Sequence, residues 1–393
     1  MTTSQHVVVI GAGTVGICSA LSLAEQGARV TVIEAQSIAF GSSGRSVGVV
    51  GTQLTDRFDV QLRVPAIRRF RAWEALGLRF NHIGYLRLAR TSAQMELFAQ
   101  SIALQAEAGF RARLCDTHQL RELVPHISLD GLQGGIFGPD DGFLDPHEMC
   151  ALVADMVRGL GGVVRQSCAL RGVERVSGGY RLQTSKGAID CDAIVNAAGA
   201  WAPRVAALFG QSLAIYPERH EAVVVHLDAP LAYTMPMVMD LVNGRGTGLN
   251  FRHEKRDELI AEIHKADPAE PEDPEDYNEQ CDEESKVKLA ELLLERAPDL
   301  PGARLGRGWA GLYPTTADHR PLVGPVDPSE PMLVTAGGAG GYGIQLAPTI
   351  GQLAADWVLQ GAPTSMPEAR KLAPTKERNG APHGTGGAVV AAK

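Results

Sequence analysis

The chain has 393 residues, of which 45% are hydrophobic and 21% charged, and its formal net charge is −8. This length and composition predict a globular protein of about two domains with a substantial core. The negative charge argues against nucleic acid as a partner, and the lack of a signal-like leader or a long apolar run predicts a cytoplasmic protein without a transmembrane segment.

The first predicted elements are a strand, a glycine-rich turn and a helix. Residues 7–10 form a short β-branched run, and Gly11, Gly13 and Gly16 follow it at GxGxxG spacing. Such a turn brings backbone N–H groups at a helix N-terminus towards a pyrophosphate. A second strand is predicted over residues 28–33 and ends at Glu34, an acid that would bind ribose hydroxyls and repel the 2′-phosphate of NADP. The alternative is a glycine-rich turn that binds no ligand.

The next elements predict a second domain interleaved with the first. Residues 57–76 have apolar positions at helical spacing, which predicts one or two helices bent or broken at Pro65, with a solvated arginine-rich face. A strand is expected over 83–88 and a helix over 92–108. Residues 134–145 resemble a turn-rich connector that leads into a helix at about 147–159.

The second half of the chain is rich in predicted strands. Short β segments fill 162–191, and a buried strand over 193–195 is followed by small residues that allow a ligand to approach closely. Further strands over 213–264, with the strand near residue 85, predict a mixed or antiparallel sheet on the substrate side. The acidic segment 267–284 is expected to be a solvated loop.

The last elements are a strand over 332–336, the glycine-rich run 337–343 and a helix starting near Pro348. Residues 363–393 lack periodicity and are predicted to be a disordered tail. The cysteines follow no CxxC or Cys/His spacing, so we expect buried thiols and no metal site. His220, His264 and His319 show no metal spacing either, and each is expected to be structural or on the surface.

Several motifs in a fixed order carry a family resemblance. They are GAGTVG with Glu34, GSSGRSVG, PDDGFLDP, NAAGAW, WAGLYPTTADHRPLVG and GAGGYGIQLAPTIGQLAADWV. With them, residues 5–360 resemble the FAD-dependent D-amino-acid oxidase superfamily, especially the branch of sarcosine oxidase β-subunits, monomeric sarcosine oxidase, glycine oxidase and related amino-acid dehydrogenases. The resemblance implies an α/β fold in which a Rossmann-like FAD-binding domain (1–80, 146–212 and 306–362) is interleaved with a mixed-sheet substrate domain (81–145 and 213–305).

The resemblance also implies which positions hold FAD. The nucleotide loop would bind the pyrophosphate, Glu34 the ribose, the GSSGRSVG loop the phosphate and the isoalloxazine edge, Val173 the adenine through its backbone, and the last glycine-rich segment the flavin pyrimidine. The implied cofactor residues are Gly11, Gly13, Thr14, Val15, Gly16, Glu34, Ala35, Ser42, Ser43, Gly44, Arg45, Ser46, Val47, Gly48, Val173, Ala197, Ala198, Gly199, Trp201, Gly311, Gly340, Gly341, Tyr342, Gly343, Ile344 and Gln345. Arg45 serves either the cofactor phosphates or a local carboxylate.

The chain departs from its relatives at positions that matter for chemistry. Gly311 stands where monomeric sarcosine oxidases have the Cys that tethers FAD, so non-covalent FAD is expected. Tyr313 replaces a substrate-binding Arg of glycine oxidase, and Gln345 replaces a substrate-binding Lys of sarcosine oxidases. The strand segment DELIAEIH carries no Lys, whereas sarcosine oxidases have their oxygen-activating Lys there.

The implied reaction is oxidation of a C–N bond in a small amino acid or N-substituted amino acid, by hydride transfer to flavin N5 and hydrolysis of the resulting imine. Arg252 is the first candidate for the carboxylate anchor because a guanidinium fork fixes a carboxylate plane. The Tyr313 hydroxyl is expected to donate a hydrogen bond to the substrate, and Tyr342 is expected to form a lid or wall of the substrate pocket. The alternatives without a catalytic role are that Arg252 is a surface residue and that Tyr313 and Tyr342 only contribute to packing.

The sequence is also compatible with two other functions. One is C–O oxidation by a flavoprotein dehydrogenase of the same general fold. The other is a partner-dependent, electron-transferring flavoprotein subunit, which the missing Lys in DELIAEIH favours. The electron acceptor is accordingly O₂ or a partner, and the chain is expected to form a homo- or hetero-oligomer. A plain NAD-dependent dehydrogenase would not explain the second and third glycine-rich segments.

Overall fold

A computed structural model describes residues 4–241, 248–265 and 269–380. The strands are β1 His6–Ile10, β2 Arg29–Ile33, β3 Val49–Val50, β4 Phe80–Asn81, β5 Tyr85–Ala89, β6 Arg113–Cys115, β7 Gly134–Gly138, β8 Gly142–Leu144, β9 Val163–Arg165, β10 Leu170–Val176, β11 Gly179–Thr184, β12 Gly187–Cys191, β13 Ala193–Asn196, β14 Tyr216–His226, β15 Met237–Leu241, β16 Gly248–Lys255, β17 Glu258–His264, β18 Arg304–Thr315, β19 Leu322–Pro325 and β20 Leu333–Gly337. The α-helices are α1 Thr14–Glu25, α2 Arg57–Glu74, α3 Ser92–Glu107, α4 Thr117–Leu123, α5 Pro146–Gly159, α6 Ala202–Leu208, α7 Glu283–Arg296, α8 Gly343–Gln360 and α9 Lys376–Gly380.

A mostly parallel sheet, with strand order β19-β20-β13-β1-β2-β9, forms the nucleotide side of the molecule. The central strand β1 is buried along its whole length. Val7 and Val9 pack with α1, α5 and α8, whereas Val8 and Ile10 pack against the small sheet of β10, β11 and β12. Because β1 runs parallel to both β2 and β13, their carboxyl ends share one edge of the sheet, where ligands bind in folds of this kind.

A larger mixed sheet, with strand order β18-β14-β17-β16-β15-β5-β7-β6, forms the second layer. Alternate residues of its strands, such as Leu86, Val238, Phe251 and Ala261, pack on one face in a core that also contains residues of α4 and α7. The residues between them point to the opposite face. This opposite face is polar, and we call it the inner face because it lies towards the nucleotide side. The predicted interleaving of an α/β domain with a mixed-sheet domain agrees with this architecture.

Two predicted boundaries need correction. Residues 306–315 were assigned to the FAD-binding domain, but they belong to β18, which pairs with β14 over ten positions of the larger sheet. Residues 134–145 were interpreted as a connector, but β7 and β8 lie there, and β7 pairs with both β5 and β6. The glycines in these two strands resemble turn residues in the sequence. Gly135, Gly138 and Gly142 are needed because neighbouring atoms leave no room for a Cβ.

The structure changes three further predictions, two about helices and one about the C-terminal tail. The arginine-rich segment forms one helix, α2, that continues through Pro65. The last long helix begins at Gly343 and contains Pro348 in its first turns. The predicted disordered tail is wrong for residues 363–380, since Pro367–Leu372 form a 3-10 helix whose Ala369 and Leu372 join the nucleotide-side core. Residues 381–393 lie outside the described part of the chain.

Candidate functional site

The nucleotide loop has the backbone geometry that its glycines predict. Gly11 has φ +104°, and a Cβ there would lie 2.6 Å from the carbonyl oxygen of Ala197. A Cβ on Gly16 would lie 2.0 Å from the Gly11 carbonyl oxygen, so only glycine lets α1 pack this closely. Helix α1 starts at Thr14 with Gly13 as an N-cap that has no capping side chain. The Thr14 N–H donates to Ser43 Oγ, and the free N–H groups that follow it at this helix N-terminus form the kind of site that binds anions.

Glu34 is fixed at the end of β2, beside this loop. Its carboxylate accepts hydrogen bonds from two backbone N–H groups. One is that of Ala12 in the nucleotide loop, at 2.8 Å, and the other is that of Gln36, two residues after Glu34, at 2.9 Å. The two amides hold the acid at the sheet edge where a ribose hydroxyl would reach it. This observation fits an adenosine-containing cofactor without a 2′-phosphate.

The segment Ser42–Gly48 connects the two sheets. Ser43 Oγ accepts a hydrogen bond from the Thr14 N–H at 3.0 Å, while Trp309 of β18 donates to the Arg45 carbonyl at 2.8 Å. The Arg45 guanidinium pairs with Glu279 and donates to the Phe40 carbonyl at 2.9 Å. Arg45 thus has a carboxylate partner in Glu279.

The other predicted cofactor residues lie along the same cleft. Ala197–Gly199 follow β13 next to Gly11, and Trp201 packs beside Gly41, where a Cβ would be 3.2 Å from its ring. A Cβ on Gly311 would lie 3.0 Å from Arg45, and one on Gly341 would lie 2.6 Å from the Tyr313 ring. Val173, on β10, is half-buried and packs against the cluster that contains Ile10 and Ile33 at the ends of β1 and β2. Gly340–Tyr342 form a 3-10 turn directly before Gly343 and α8, so the helix N-terminus points into the cleft.

The inner face of the larger sheet carries the ionisable groups of the cleft. Asn250 and Glu262 are direct cross-strand partners, and Asn250 Nδ2 donates to Glu262 at 3.1 Å. Burial raises the pKa of Glu262, although the hydrogen bond from Asn250 opposes the shift. Burial also lowers the pKa of His264 to about 4, with the charges of His220 and Arg87 acting in the same direction. His264 is therefore a neutral imidazole at pH 7.

Three tyrosines surround this part of the cleft. The Tyr313 ring stacks on the His220 imidazole, with centroids 3.9 Å apart and planes 18° apart. Burial raises the pKa of Tyr313 well above its usual range, and the nearby Glu262, Tyr342 and Tyr85 add to the shift. Tyr85 is 8% exposed and donates to the sulfur of Met239 at 3.5 Å. Burial raises the pKa of Tyr85 as well, so Tyr313 and Tyr85 keep their hydroxyl protons at neutral pH.

Arg252, the predicted substrate anchor, has other partners. Its Nη1 donates to Glu254 at 2.5 Å and to the His253 carbonyl at 2.8 Å, and its Nη2 donates to the Val47 carbonyl at 2.7 Å. The guanidinium also lies 3.7 Å from the ring centroid of Phe143. This geometry ties the predicted cofactor loop to the larger sheet and occupies both terminal nitrogens of Arg252, while its buried Nε has no hydrogen-bond partner among the described residues. An arginine whose two terminal nitrogens are occupied is disfavoured as a carboxylate fork.

Sequence reasoning missed several groups of the cleft. His220 and His264 were expected to be structural or on the surface, and Glu262 was not singled out. Along β17, Ile260, Glu262 and His264 alternate with buried apolar residues, so strand periodicity carried a signal that these side chains share a face. Arg63 was missed as well, because the arginine-rich face of α2 was interpreted as solvated, yet Arg63 is only 3% exposed.

A glycine-rich βα turn followed by a fixed acid at the end of β2 is typical of sites that bind a dinucleotide, and a polar sheet face meets the same cleft. The chain belongs to the family of FAD dependent oxidoreductases (DAO), which its residues 6–357 match. The residues present fit FAD, since the loop excludes any Cβ at Gly11 and Gly16 and holds Glu34 at the ribose position. Among the residues described, no helix is both long and apolar enough to cross a bilayer.

Individual relatives are similar over most of this chain. Glycine oxidase from Geobacillus kaustophilus is 24% identical over 369 residues, which cover 91% of this chain and 94% of that protein. Mitochondrial dimethylglycine dehydrogenase from Rattus norvegicus is 25% identical over 91% of this chain, which spans only 43% of that longer protein. The solved L-proline dehydrogenase from P. horikoshii has 25% identity and a TM-score of 0.85, and the match covers 97% of this chain and 99% of that one.

Proposed function

We propose that this protein oxidises the C–N bond of a small amino acid or N-substituted amino acid. The observation that carries the proposal is the set of neutral, poorly hydrated polar groups on the inner face, opposite the start of α8. The relatives support it, since glycine oxidase, dimethylglycine dehydrogenase and L-proline dehydrogenase are named for oxidation of amino acids. Bound FAD supplies the hydride acceptor, and the imine product is hydrolysed by water.

The protein's own residues prepare the amine for this reaction. Hydride leaves most readily from a carbon beside a neutral amine, so the substrate ammonium must lose a proton. Glu262 is a carboxylate whose pKa burial raises, which makes it a better proton acceptor than an exposed glutamate. His264 stays neutral and adds no competing positive charge near the amine. Tyr313 then supplies a hydroxyl donor, and Tyr342 forms a wall of the pocket.

FAD is proposed to be bound non-covalently. Gly311 lies on β18 against the Arg45 side chain and has no nucleophilic atom to offer. Arg252 is assigned to the cofactor loop through its bond to the Val47 carbonyl, not to the substrate.

The electron acceptor is proposed to be a partner protein or another carrier rather than O₂. Both lysines that flank β17 are engaged outside the inner face: Lys255 pairs with Glu258 at 3.0 Å, and Lys265 pairs with Glu221 at 3.4 Å. The strand β17 itself contains no lysine. The inner face therefore has no lysine from this strand or its flanks that could stabilise a negative charge developing on oxygen. Rapid reoxidation of the reduced protein by air, in a stopped-flow experiment, would assign O₂ as the acceptor instead.

Product analysis tests the proposed reaction. The purified FAD-loaded protein is incubated with an artificial electron acceptor and either amino acids or the matching 2-hydroxy acids. C–N oxidation yields a carbonyl compound together with ammonia, an alkylamine or the dealkylated amino acid, or a single amino-carbonyl product from a cyclic substrate, and it requires the amino acid. Turnover of the hydroxy acid without release of an amine would replace the proposal with C–O oxidation.

A further inference from the structure

We propose that Arg63, on helix α2, binds the carboxylate of the substrate and so sets its orientation. This inference rests on the proposed function, because it concerns the substrate of the same cleft. It also assigns the anchoring role to a residue on the nucleotide side of the cleft instead of to Arg252 on the larger sheet.

Arg63 is a buried cation that forms no ion pair within the described residues, although Asp59 and Asp141 act on its charge from further away. It is 3% exposed, and within the described chain no carboxylate oxygen lies within ion-pair distance of its guanidinium. The two other arginines at this level of burial are both paired: Arg252 with Glu254 at 2.5 Å, and Arg296 with Asp240 at 2.6 Å. Burying a charge without a partner is costly, so Arg63 has the electrostatic character of a binding group.

The guanidinium is held in place but not saturated. Its Nε donates to the side-chain oxygen of Gln345 at 3.2 Å, and its Nη1 donates to the Asp59 carbonyl at 2.9 Å. Its Nη2 makes no hydrogen bond to the residues described. A guanidinium that is fixed at two nitrogens and has a third one unpaired is pre-organised to donate a hydrogen bond to one more anionic oxygen.

The surroundings of Arg63 are those of the predicted pocket. The Tyr342 ring centroid lies 5.0 Å from its guanidinium carbon, and Gln345 belongs to the first turn of α8. The same Gln345 oxygen also accepts the Gly51 N–H at 3.4 Å, and Gly51 lies against the Tyr85 ring. Arg63 thus borders the tyrosine-lined part of the cleft, and the N-terminus of α8 adds a second favourable element for an anion.

The polarity of the cleft matches an amino acid. Arg63 supplies a positive group on the nucleotide side, while Glu262 supplies an acid on the inner face of the larger sheet. An amino acid carries a carboxylate for the first and an amine for the second. A substrate that lacks the carboxylate would lose only the interaction with Arg63.

Acetate is the probe for the test, because it reports carboxylate binding without turnover. The FAD-loaded wild type and the variants Arg63→Gln, Arg63→Lys, Gln345→Glu and Arg252→Gln are titrated with sodium acetate against sodium chloride at equal ionic strength. Thermal unfolding and the visible flavin spectrum are recorded. The Michaelis constants of an amino acid that reduces the flavin and of the same amine without its carboxylate are then compared.

We expect acetate to stabilise the wild type and Arg252→Gln, and to bind Arg63→Gln about ten- to hundredfold more weakly. Arg63→Gln should raise the Michaelis constant of the amino acid by a similar factor and leave that of the amine within about twofold. Arg63→Lys should retain part of the affinity. Gln345→Glu keeps Arg63 but gives it an internal counter-ion, so it should abolish acetate binding without loss of thermal stability, even if Arg63→Gln fails to fold.

The outcomes separate this inference from the proposed function. Acetate binding that is unchanged in Arg63→Gln, or in Gln345→Glu if the former does not fold, would overturn the role of Arg63. Loss of acetate binding in Arg252→Gln alone would return the anchor to Arg252. If acetate binds through Arg63 but no amino acid reduces the flavin, the anion site stands and the proposed reaction fails.

Discussion

The Tyr313 ring stacks on the His220 imidazole across two neighbouring strands, β18 and β14, with 3.9 Å between the ring centroids. Gly311 is the direct partner of His220, and Tyr313 lies two residues further along β18, so the contact is diagonal. The small residue at 311 leaves the imidazole free to meet the phenol ring. This stacking fixes the Tyr313 ring beside Glu262 and Tyr342.

Replacement of Tyr313 by Phe should keep the stack and remove the hydroxyl. We expect FAD binding and thermal stability close to those of the wild type, since the ring still packs. The Michaelis constant of the substrate should rise about three- to tenfold, as expected for loss of one hydrogen bond. Steady-state kinetics check this, and a variant with an unchanged constant would show that the hydroxyl does not touch the substrate.

Glu262→Gln should change the pH profile of flavin reduction. In the wild type the rate should rise with pH as the Glu262 carboxyl ionises, at a pH above that of an ordinary glutamate, because burial raises its pKa. In Glu262→Gln the flavin should be reduced more slowly, and the rise of the rate with pH should disappear. Asn250→Ala is the matched change: it removes the hydrogen bond that favours the carboxylate, so the rise should move to higher pH. Profiles that coincide in all three proteins would exclude Glu262 as the proton acceptor.

His264→Gln should make the protein less sensitive to acid. The folded protein lowers the pKa of His264 to about 4 from 6.5, so the unfolded chain binds the extra proton between these values. Stability from the neutral imidazole is present above pH 6.5 and is lost as the pH falls to about 4. The total change is about 3 kcal/mol. Denaturant unfolding at several pH values should show a shallower loss for the variant, and parallel curves would contradict the shift.

Asp141→Asn should have the opposite effect on pH dependence. Burial raises the pKa of Asp141 from 3.8 to about 6, although Thr52 and Gln53 donate to its oxygens. Between these pH values the folded state holds a proton that the unfolded chain has lost. Stability therefore falls by about 3 kcal/mol as the pH rises through this range. The variant should lack this decline, and its unfolding curves at pH 4 and pH 7 provide the comparison.

The nucleotide site is tested by flavin retention. Gly13→Glu places a negative side chain at the phosphate end of α1, and Glu34→Arg removes the acid that Ala12 and Gln36 hold. Both variants should lose FAD during purification. Gly159→Ala is the control, because a Cβ at this glycine meets no atom within 4 Å. A full flavin content in both site variants would refute the assignment of the cofactor site.

The sequence predicted the nucleotide side well because its signals are local. A tight turn at Gly11 and close packing at Gly16 depend on neighbours within one βα unit, so spacing alone reveals them. The family resemblance also implied that Gly311, Gly341 and the Ser42–Gly48 loop share one cleft, and Gly311 does lie against Arg45 of that loop.

The substrate side was harder to predict because its contacts join distant parts of the chain. Arg63 and Gln345 are 282 residues apart, and no local pattern pairs them. The positions Arg63, Ala66, Ile67 and Phe70 do follow helical spacing on the buried side of α2, which was the available signal. Arg252 looked suitable from its strand, but its pairing with Glu254, two residues away, depends on side-chain directions that the strand pattern leaves open.

Anaerobic flavin reduction tests the central claim most directly. The purified chain is mixed without oxygen with a panel of D-, L- and N-methyl amino acids while the flavin absorption near 450 nm, about where oxidised flavins absorb in general, is followed. We predict a flavin band that one of these classes bleaches and that the matching hydroxy acids leave unchanged. A flavin band that only hydroxy acids bleach, or a colourless protein that cannot be reconstituted with FAD, would contradict the account.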